Sequence, residues 1–151
     1  MKALIQRVRQ ASVTVEGSTV GQIGPGMLVL LGVAGGDTAA EAEILARKIL
    51  NLRIFSDEAG KMNRSVTEIG GEILVVSQFT LLANCRHGNR PDFFASAKPE
   101  IANELYETFK SMIATGIGAV ESGVFGADMQ VSLVNDGPVT IWLDTEALKS
   151  K

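Results

Sequence analysis

Two short stretches of this 151-residue chain carry groups that could do chemistry. The first, Ser77-Gln78-Phe79-Thr80-Leu81, comes off the apolar run Ile73-Leu74-Val75-Val76 and sets three polar side chains at the end of a buried strand. Continued as a strand, it sends Ser77, Phe79 and Leu81 to one face and Gln78 and Thr80 to the other. Strand ends beside loops are common ligand sites, and the Ser77 and Thr80 hydroxyls are candidate nucleophiles for hydrolysis of an ester or amide. The plainer alternative is an ordinary strand end whose hydroxyls bond to neighbouring backbone. The second stretch, Asn135-Asp136-Gly137-Pro138-Val139-Thr140, runs straight into Ile141-Trp142-Leu143. β-Branched and aromatic residues start a strand at Val139, yet the four residues before it resist regular structure. A hairpin turn is one reading, since Asp-Gly and Gly-Pro are strong turn signals. A rigid backbone device aimed at a ligand is the other, because Gly137 has no Cβ to keep a ligand away from its carbonyl.

A hydroxyl nucleophile needs a base to activate it, and no such base is evident. The sole histidine, His87, lies two residues from the sole cysteine, Cys85. Side chains at that spacing rarely meet, and nucleophilic triads are assembled from distant segments, so both read as solvated loop residues. One histidine and one cysteine make no ordinary zinc ligand set, and no metal is expected. Gly32-Val33-Ala34-Gly35-Gly36-Asp37 leads from a strand towards a helix but lacks both G-x-G-x-x-G and a lysine after the glycines. It is read as a plain turn, and no nucleotide cofactor is expected.

Composition narrows the class further. Hydrophobic content of 46% with 21% charged residues is that of a globular chain. The longest apolar run, Met27 to Ala34, is strand-sized, and MKALIQRVRQ at the start lacks a signal peptide's apolar core. With a single cysteine there is no internal disulfide, which fits a reducing cytoplasm and no membrane. A net charge of −3 provides no global basic field, which weighs against high-affinity DNA or RNA binding. Local patches remain. Arg86, Arg90 and Lys98 face one acid, Asp92, between Asn84 and Lys98, while Arg7 and Arg9 form a smaller spot.

The elements that must position these residues follow from periodicity. Ala3 to Arg9, Ser12 to Glu16 and Thr19 to Ile23 alternate as short strands, and Met27 onward is a fully buried one. Thr38-Ala39-Ala40-Glu41 is a capping-box pattern, and Leu45, Ile49 and Leu52 recur at helical spacing, so residues 38 to 52 form the first helix. Ile54-Phe55 starts a strand with DEAGK as its turn. Glu72 to Phe79 is the central buried strand, and a basic loop from Asn84 to Asp92 follows. Pro99 suits a first helical turn, and Ile101, Leu105, Phe109, Met112 and Ile113 make the apolar stripe of a second helix ending near Gly116. Gln130 to Val134 and Val139 to Leu143 are the last strands. The expectation is one α/β domain over residues 1–151, a mixed sheet with two main helices packed on one side.

The two motifs together, at this order and separation, resemble the D-aminoacyl-tRNA deacylase family. Its S-Q-F-T and N-x-G-P-V-T signatures are complete here as Ser77 to Thr80 and Asn135 to Thr140. MKALIQRVRQASVTVEG, GPGMLVLLGV and the GNRPDF of residues 88 to 93 are also similar to that family, so the likeness spans essentially the whole chain. The resemblance implies half-barrel β/β/α layers and hydrolysis of D-amino acids, and of glycine mischarged onto tRNA(Ala), from the 3′ end of tRNA. It implies a homodimer in which Gly137 and Pro138, joined by a cis peptide, reach into the partner's site as a chiral gate. An L-residue would drive its Cβ into their carbonyls, while glycine has no side chain to reject. It further implies that Ser77, Gln78, Phe79 and Thr80 form the catalytic segment, with the Phe79 and Thr80 amides holding the carbonyl oxygen and the tRNA 2′-hydroxyl assisting. Phe125 and Met129 are candidate walls for the adenosine, or simply core. Arg86, Arg90 and Lys98 are candidate tRNA contacts. Two rival readings stay open: a small-molecule esterase using Thr80 or Ser77 directly, and a non-catalytic dimeric module.

Overall fold

A computed structural model describes residues 1–149. Strand β1 (Lys2–Val15) is the spine: β8 (Gln130–Asp144) pairs with it antiparallel along one side. On the other side, residues 2 to 8 of β1 pair with β3 (Gly26–Gly32) and residues 11 to 15 with β2 (Ser18–Ile23). β3 in turn pairs parallel with β6 (Glu72–Ser77), and β6 parallel with the short β7 (Glu121–Ser122). A separate hairpin holds β4 (Phe55–Ser56) and β5 (Met62–Arg64).

The sheet curls until its ends approach each other. The Gln22 amide of β2 donates to Oε1 of Glu121, the first residue of β7, at 3.2 Å. At Gly21 a Cβ would lie 2.6 Å from the Ser122 carbonyl oxygen, so this closure requires glycine. Curling explains why β3 and β6 read as unbroken apolar runs. Met27, Val29, Leu31, Ile73 and Val75 point to the helices, while Leu28, Leu74 and Val76 pack inside the curl with Val8, Ala11, Val13 and Ile23. Both faces are buried, so alternation in polarity is lost while alternation in direction persists.

Helices α1 (Ala39–Asn51) and α2 (Pro99–Ile117) cover the outer face through Leu45, Ile49, Leu105, Tyr106, Phe109 and Ile113. α1 begins at the expected capping box: the Thr38 side chain accepts from Ala40 and the Thr38 amide donates to Glu41 Oε2 at 2.6 Å. α2 carries Pro99 in its first turn and stops at Gly118, whose φ is +93°. A short α3 (Thr145–Lys149) closes the described chain, and its Lys149 ammonium pairs with Glu41.

Three expectations about elements are corrected. Ala3–Arg9 and Ser12–Glu16 are one strand: Arg9 is an exposed extra residue in the register, and the pairing of β1 with β8 resumes at Gln10 opposite Val134. Gln130–Val134 and Val139–Leu143 are likewise one strand of 15 residues. The third correction concerns Ser77-Gln78-Phe79-Thr80-Leu81, where β6 ends at Ser77 and a 3-10 turn runs from Phe79 to Leu82. The Gln78 amide still donates to the Leu31 carbonyl at 2.7 Å, and then Leu81 bonds back to Gln78 and Ala83 to Thr80. The alternating faces expected beyond Ser77 therefore do not exist.

Candidate active site

The turn after β6 changes what the segment can do. The first amides of a 3-10 turn have no partner inside it, and among the described residues neither Phe79 nor Thr80 finds an acceptor for its N–H. Two adjacent free amides at the end of a rigid central strand are suited to hold a developing oxyanion. The Gln78 side-chain amide donates to the Thr80 hydroxyl, which ties the two polar side chains together across the turn. Among the described residues no carboxylate or imidazole bonds to the Ser77 or Thr80 hydroxyl; His87, the sole histidine, is exposed in the loop.

Beside this turn lies a cavity of about 760 Å³, lined on one side by Ser77, Gln78 and Phe79. Phe125 and Met129 form part of another wall. Each also packs against the core behind it, Phe125 on the helix side and Met129 inside the curl. The two readings of these residues thus converge, since they are core on one face and cavity wall on the other. Tyr106 supports Phe125 at a ring separation of 6.0 Å and donates its hydroxyl to the Val75 carbonyl at 3.2 Å. Burial pushes its phenol up to about 12, so it stays a neutral structural donor.

Aromatic residues that sequence reasoning did not single out complete the cavity. Phe93 meets Phe79 edge-to-face at 5.0 Å, and Phe94 stands 93% exposed at the rim. Lys98 lines the mouth, whereas Thr80, Arg86 and Arg90 do not line the cavity. Arg86 and Arg90 are exposed on a loop pinned by paired bonds between Asn84 and Asp92, at 2.8 and 3.0 Å. The net result is an apolar pocket with few polar groups, a common form for a small-ligand site.

The second motif is neither a hairpin turn nor part of that cavity lining. Residues on both sides of it pair with the same strand: Val8 faces Asn135 and Gln6 faces Thr140. One residue of β1, Arg7, therefore opposes Asp136, Gly137, Pro138 and Val139, which form a bulge whose Gly137 and Pro138 are exposed while Val139 packs on the core. The Asn135 side chain closes the bulge, accepting from the Val139 amide at 3.0 Å and donating to the Thr140 hydroxyl at 3.0 Å. Gly137 has φ +130°, its peptide to Pro138 is cis, and both residues are exposed.

Arg7 holds this bulge from below. Its Nε donates to the Asp136 carbonyl at 3.0 Å and its Nη1 to the Ile54 carbonyl at 2.7 Å, with the Asp136 carboxylate 3.7 Å from Nε. The sequence held a signal for Arg7 that went unused: period-2 spacing puts it on the same parity as the buried Ala3 and Ile5. An arginine on a core-facing parity needs fixed acceptors, and it finds two backbone carbonyls.

Comparison with known proteins agrees with these observations. Residues 4–144 match the family model described as D-Tyr-tRNA(Tyr) deacylase. A D-aminoacyl-tRNA deacylase of Ruegeria pomeroyi is 60% identical over 95% of this chain and 99% of its own. One of Thermomicrobium roseum is 57% identical over 99% and 97% respectively. A solved structure described as a c-Myc DNA unwinding element binding protein is 48% identical, with a TM-score of 0.89 over 95% of this chain and 98% of that one. A probable eukaryotic D-amino acid tRNA deacylase shares the fold at 18% identity, with a TM-score of 0.80 over 94% and 97%. A match over nearly the full length, with both motifs in place, shows that the chain belongs to the D-Tyr-tRNA(Tyr) deacylase family, whose reaction is hydrolysis of the ester bond of D-aminoacyl-tRNA.

Proposed function

We propose that this chain proofreads chirality by exclusion, using the Gly137 and Pro138 backbone of one protomer to guard the cavity of another. The single observation that carries the reading is the separation of the two motifs within one chain. Ser77, Gln78 and Phe79 line the cavity, whereas Gly137 and Pro138 are exposed and line none of it. A homodimer with two-fold symmetry would bring each bulge to the other chain's cavity and make two equivalent composite sites. There the Gly137 and Pro138 carbonyls would meet the Cβ of an L-aminoacyl group, while a D-residue would point its side chain outward. Glycine, having no Cβ, would be hydrolysed as well, including glycine carried by tRNA(Ala).

Chemistry in this reading uses backbone and substrate. Water adds to the ester carbon with assistance from the terminal 2′-hydroxyl, and the free amides of Phe79 and Thr80 hold the carbonyl oxygen as it gains charge. The acyl C–O3′ bond then breaks and the 3′-oxygen takes up a proton. Because the assisting hydroxyl is absent from DNA, RNA is the nucleic-acid substrate. Phe125 and Met129 flank the terminal adenosine, and Arg86, Arg90 and Lys98 meet the acceptor end. No described helix is long and apolar enough to cross a membrane, and action on tRNA fits a cytoplasmic enzyme.

The test is hydrolysis of tRNA charged with one amino acid in both hands, and with the D-form on a terminal 2′-deoxyadenosine. Fast release of D, negligible release of L and a loss of rate on the deoxy substrate are expected. Equal rates for D and L would refute the gate, and full activity on the deoxy substrate would refute the assistance. Efficient turnover of simple esters would favour the small-molecule esterase instead. Mixing a Gln78→Ala chain with a Gly137→Ala chain should restore part of the D-over-L discrimination that Gly137→Ala alone loses, and a fully active monomer would rule out sharing between chains.

A further inference from the structure

Far from the aromatic cavity, a groove of about 370 Å³ runs between the C-terminal half of α1 and α3. Arg47, Lys48 and Arg53 line it together with the Asn51 amide, over an apolar floor that includes Leu52 and Leu148. Its lining holds three cations and no carboxylate, on a chain whose net charge is −3. The nearby acids do not neutralise it. Glu43 makes only a long, exposed i,i+4 pair with Arg47 at 3.9 Å, Glu41 is committed to Thr38 and Lys149, and the Glu68 carboxylate accepts from the Ser65 amide at 3.0 Å. Arg53 is anchored by neutral acceptors, with Nε on the Asn63 carbonyl and Nη2 on Asn63 Oδ1, both at 2.9 Å, which orients its guanidinium without a direct ion pair. Like charges collected without counter-charges cost stability, so a concave cluster of this kind suits a polyanion.

We infer that this groove seats backbone phosphates of the tRNA acceptor stem, an inference that rests on the tRNA deacylase reading above. Its placement supports that partner. Arg53 immediately precedes Ile54, whose carbonyl accepts from Arg7 at 2.7 Å, and Arg7 also grips Asp136 beside Gly137. The groove and the Gly137-Pro138 bulge are thus parts of one hydrogen-bonded unit, presented together to whatever enters the neighbouring site. A duplex stem whose 3′ end lies under the bulge would meet the groove with its phosphates, and a protein with no global basic field needs such a local contact.

The experiment compares wild type with Arg47→Gln/Lys48→Gln, both exposed positions on α1 that leave the anchored Arg53 intact. Binding of an acceptor-stem minihelix ending in CCA, and of the CCA trinucleotide alone, is titrated at 50 to 200 mM salt. Wild-type affinity for the minihelix should fall steeply with salt, and loss of two phosphate contacts should make that fall roughly tenfold smaller across this range. CCA binding should be unchanged. Identical salt dependence in the variant, or an equal loss on minihelix and CCA, would overturn the inference. Deacylation of D-aminoacyl-tRNA by wild type, measured alongside, reports separately on the catalytic reading, because minihelix binding does not depend on turnover.

Discussion

Arg7 is the residue whose removal should separate the gate from the rest of the fold. In Arg7→Met the strand keeps an unbranched side chain of similar length, but the Asp136 and Ile54 carbonyls lose the guanidinium that now sits 3.0 and 2.7 Å away. A hydrogen bond to a charged group contributes about 1.5–3 kcal/mol. Two at the lower end of that range give a loss of about 3 kcal/mol, which for a domain of this size lowers Tm by roughly 6–12 °C. The bond to Asp136 bears on discrimination. Freed from it, the bulge can yield to an L-residue, and the D-to-L rate ratio should narrow by roughly 10- to 100-fold, the equivalent of that one bond. Thermal melting and single-turnover deacylation with one amino acid in both hands provide the two readouts. Arg7→Lys should fall between, since an ammonium reaches one acceptor well but cannot span two as the fork does. If Tm falls as stated while the D-to-L ratio stays within about twofold of wild type, Arg7 is a structural residue and does not set the position of the gate.

Gly137→Ala tests the bulge itself. A Cβ there would lie 2.9 Å from Val139 Cγ2 and 3.0 Å from Arg7 Nη2, at a φ of +130° that side chains rarely adopt, so the expected result is lost chiral discrimination with an ordinary circular dichroism spectrum. Thr80→Ala removes only the hydroxyl bonded by Gln78, and turnover should stay within about tenfold of wild type; trapping an acyl ester on Thr80 would show that it is the nucleophile. Glu41 is held at about 2, chiefly by the Lys149 ammonium and then by Thr38. Its folded value lies below its unfolded value, so its contribution is complete above the ordinary carboxylate range and disappears as pH falls towards 2. Glu41→Gln keeps the capping-box hydrogen bonds but loses the negative charge, so it should melt lower at pH 7 by roughly 1–4 °C and should lose less of its remaining stability than wild type between pH 5 and 2.

The sequence by itself determined the parts governed by near neighbours. Thr38 and Glu41 cap α1 as their spacing requires, Pro99 opens α2, whose cap at Gly118 falls two residues past the expected Gly116, and the apolar runs at Met27 and Ile73 become the central buried strands. The two motifs and their family were legible for the same reason, as each is a contiguous string. What sequence misjudged was continuity. Arg9-Gln10 and Asn135 to Pro138 interrupt local strand propensity, but pairing on either side of the register shifts keeps β1 and β8 continuous past them. Conversely, Phe79 and Thr80 have the composition of a strand yet form a 3-10 turn, because pairing with β3 stops at the Gln78 amide. That stop leaves two amides free, which no propensity scale could indicate. Arg7 gained its role only when the fold brought Ile54 and Asp136, distant in sequence, within reach of one guanidinium. Local chemistry fixes what each residue can do, but hydrogen-bond partners far along the chain decide which groups are satisfied and which remain available to a substrate.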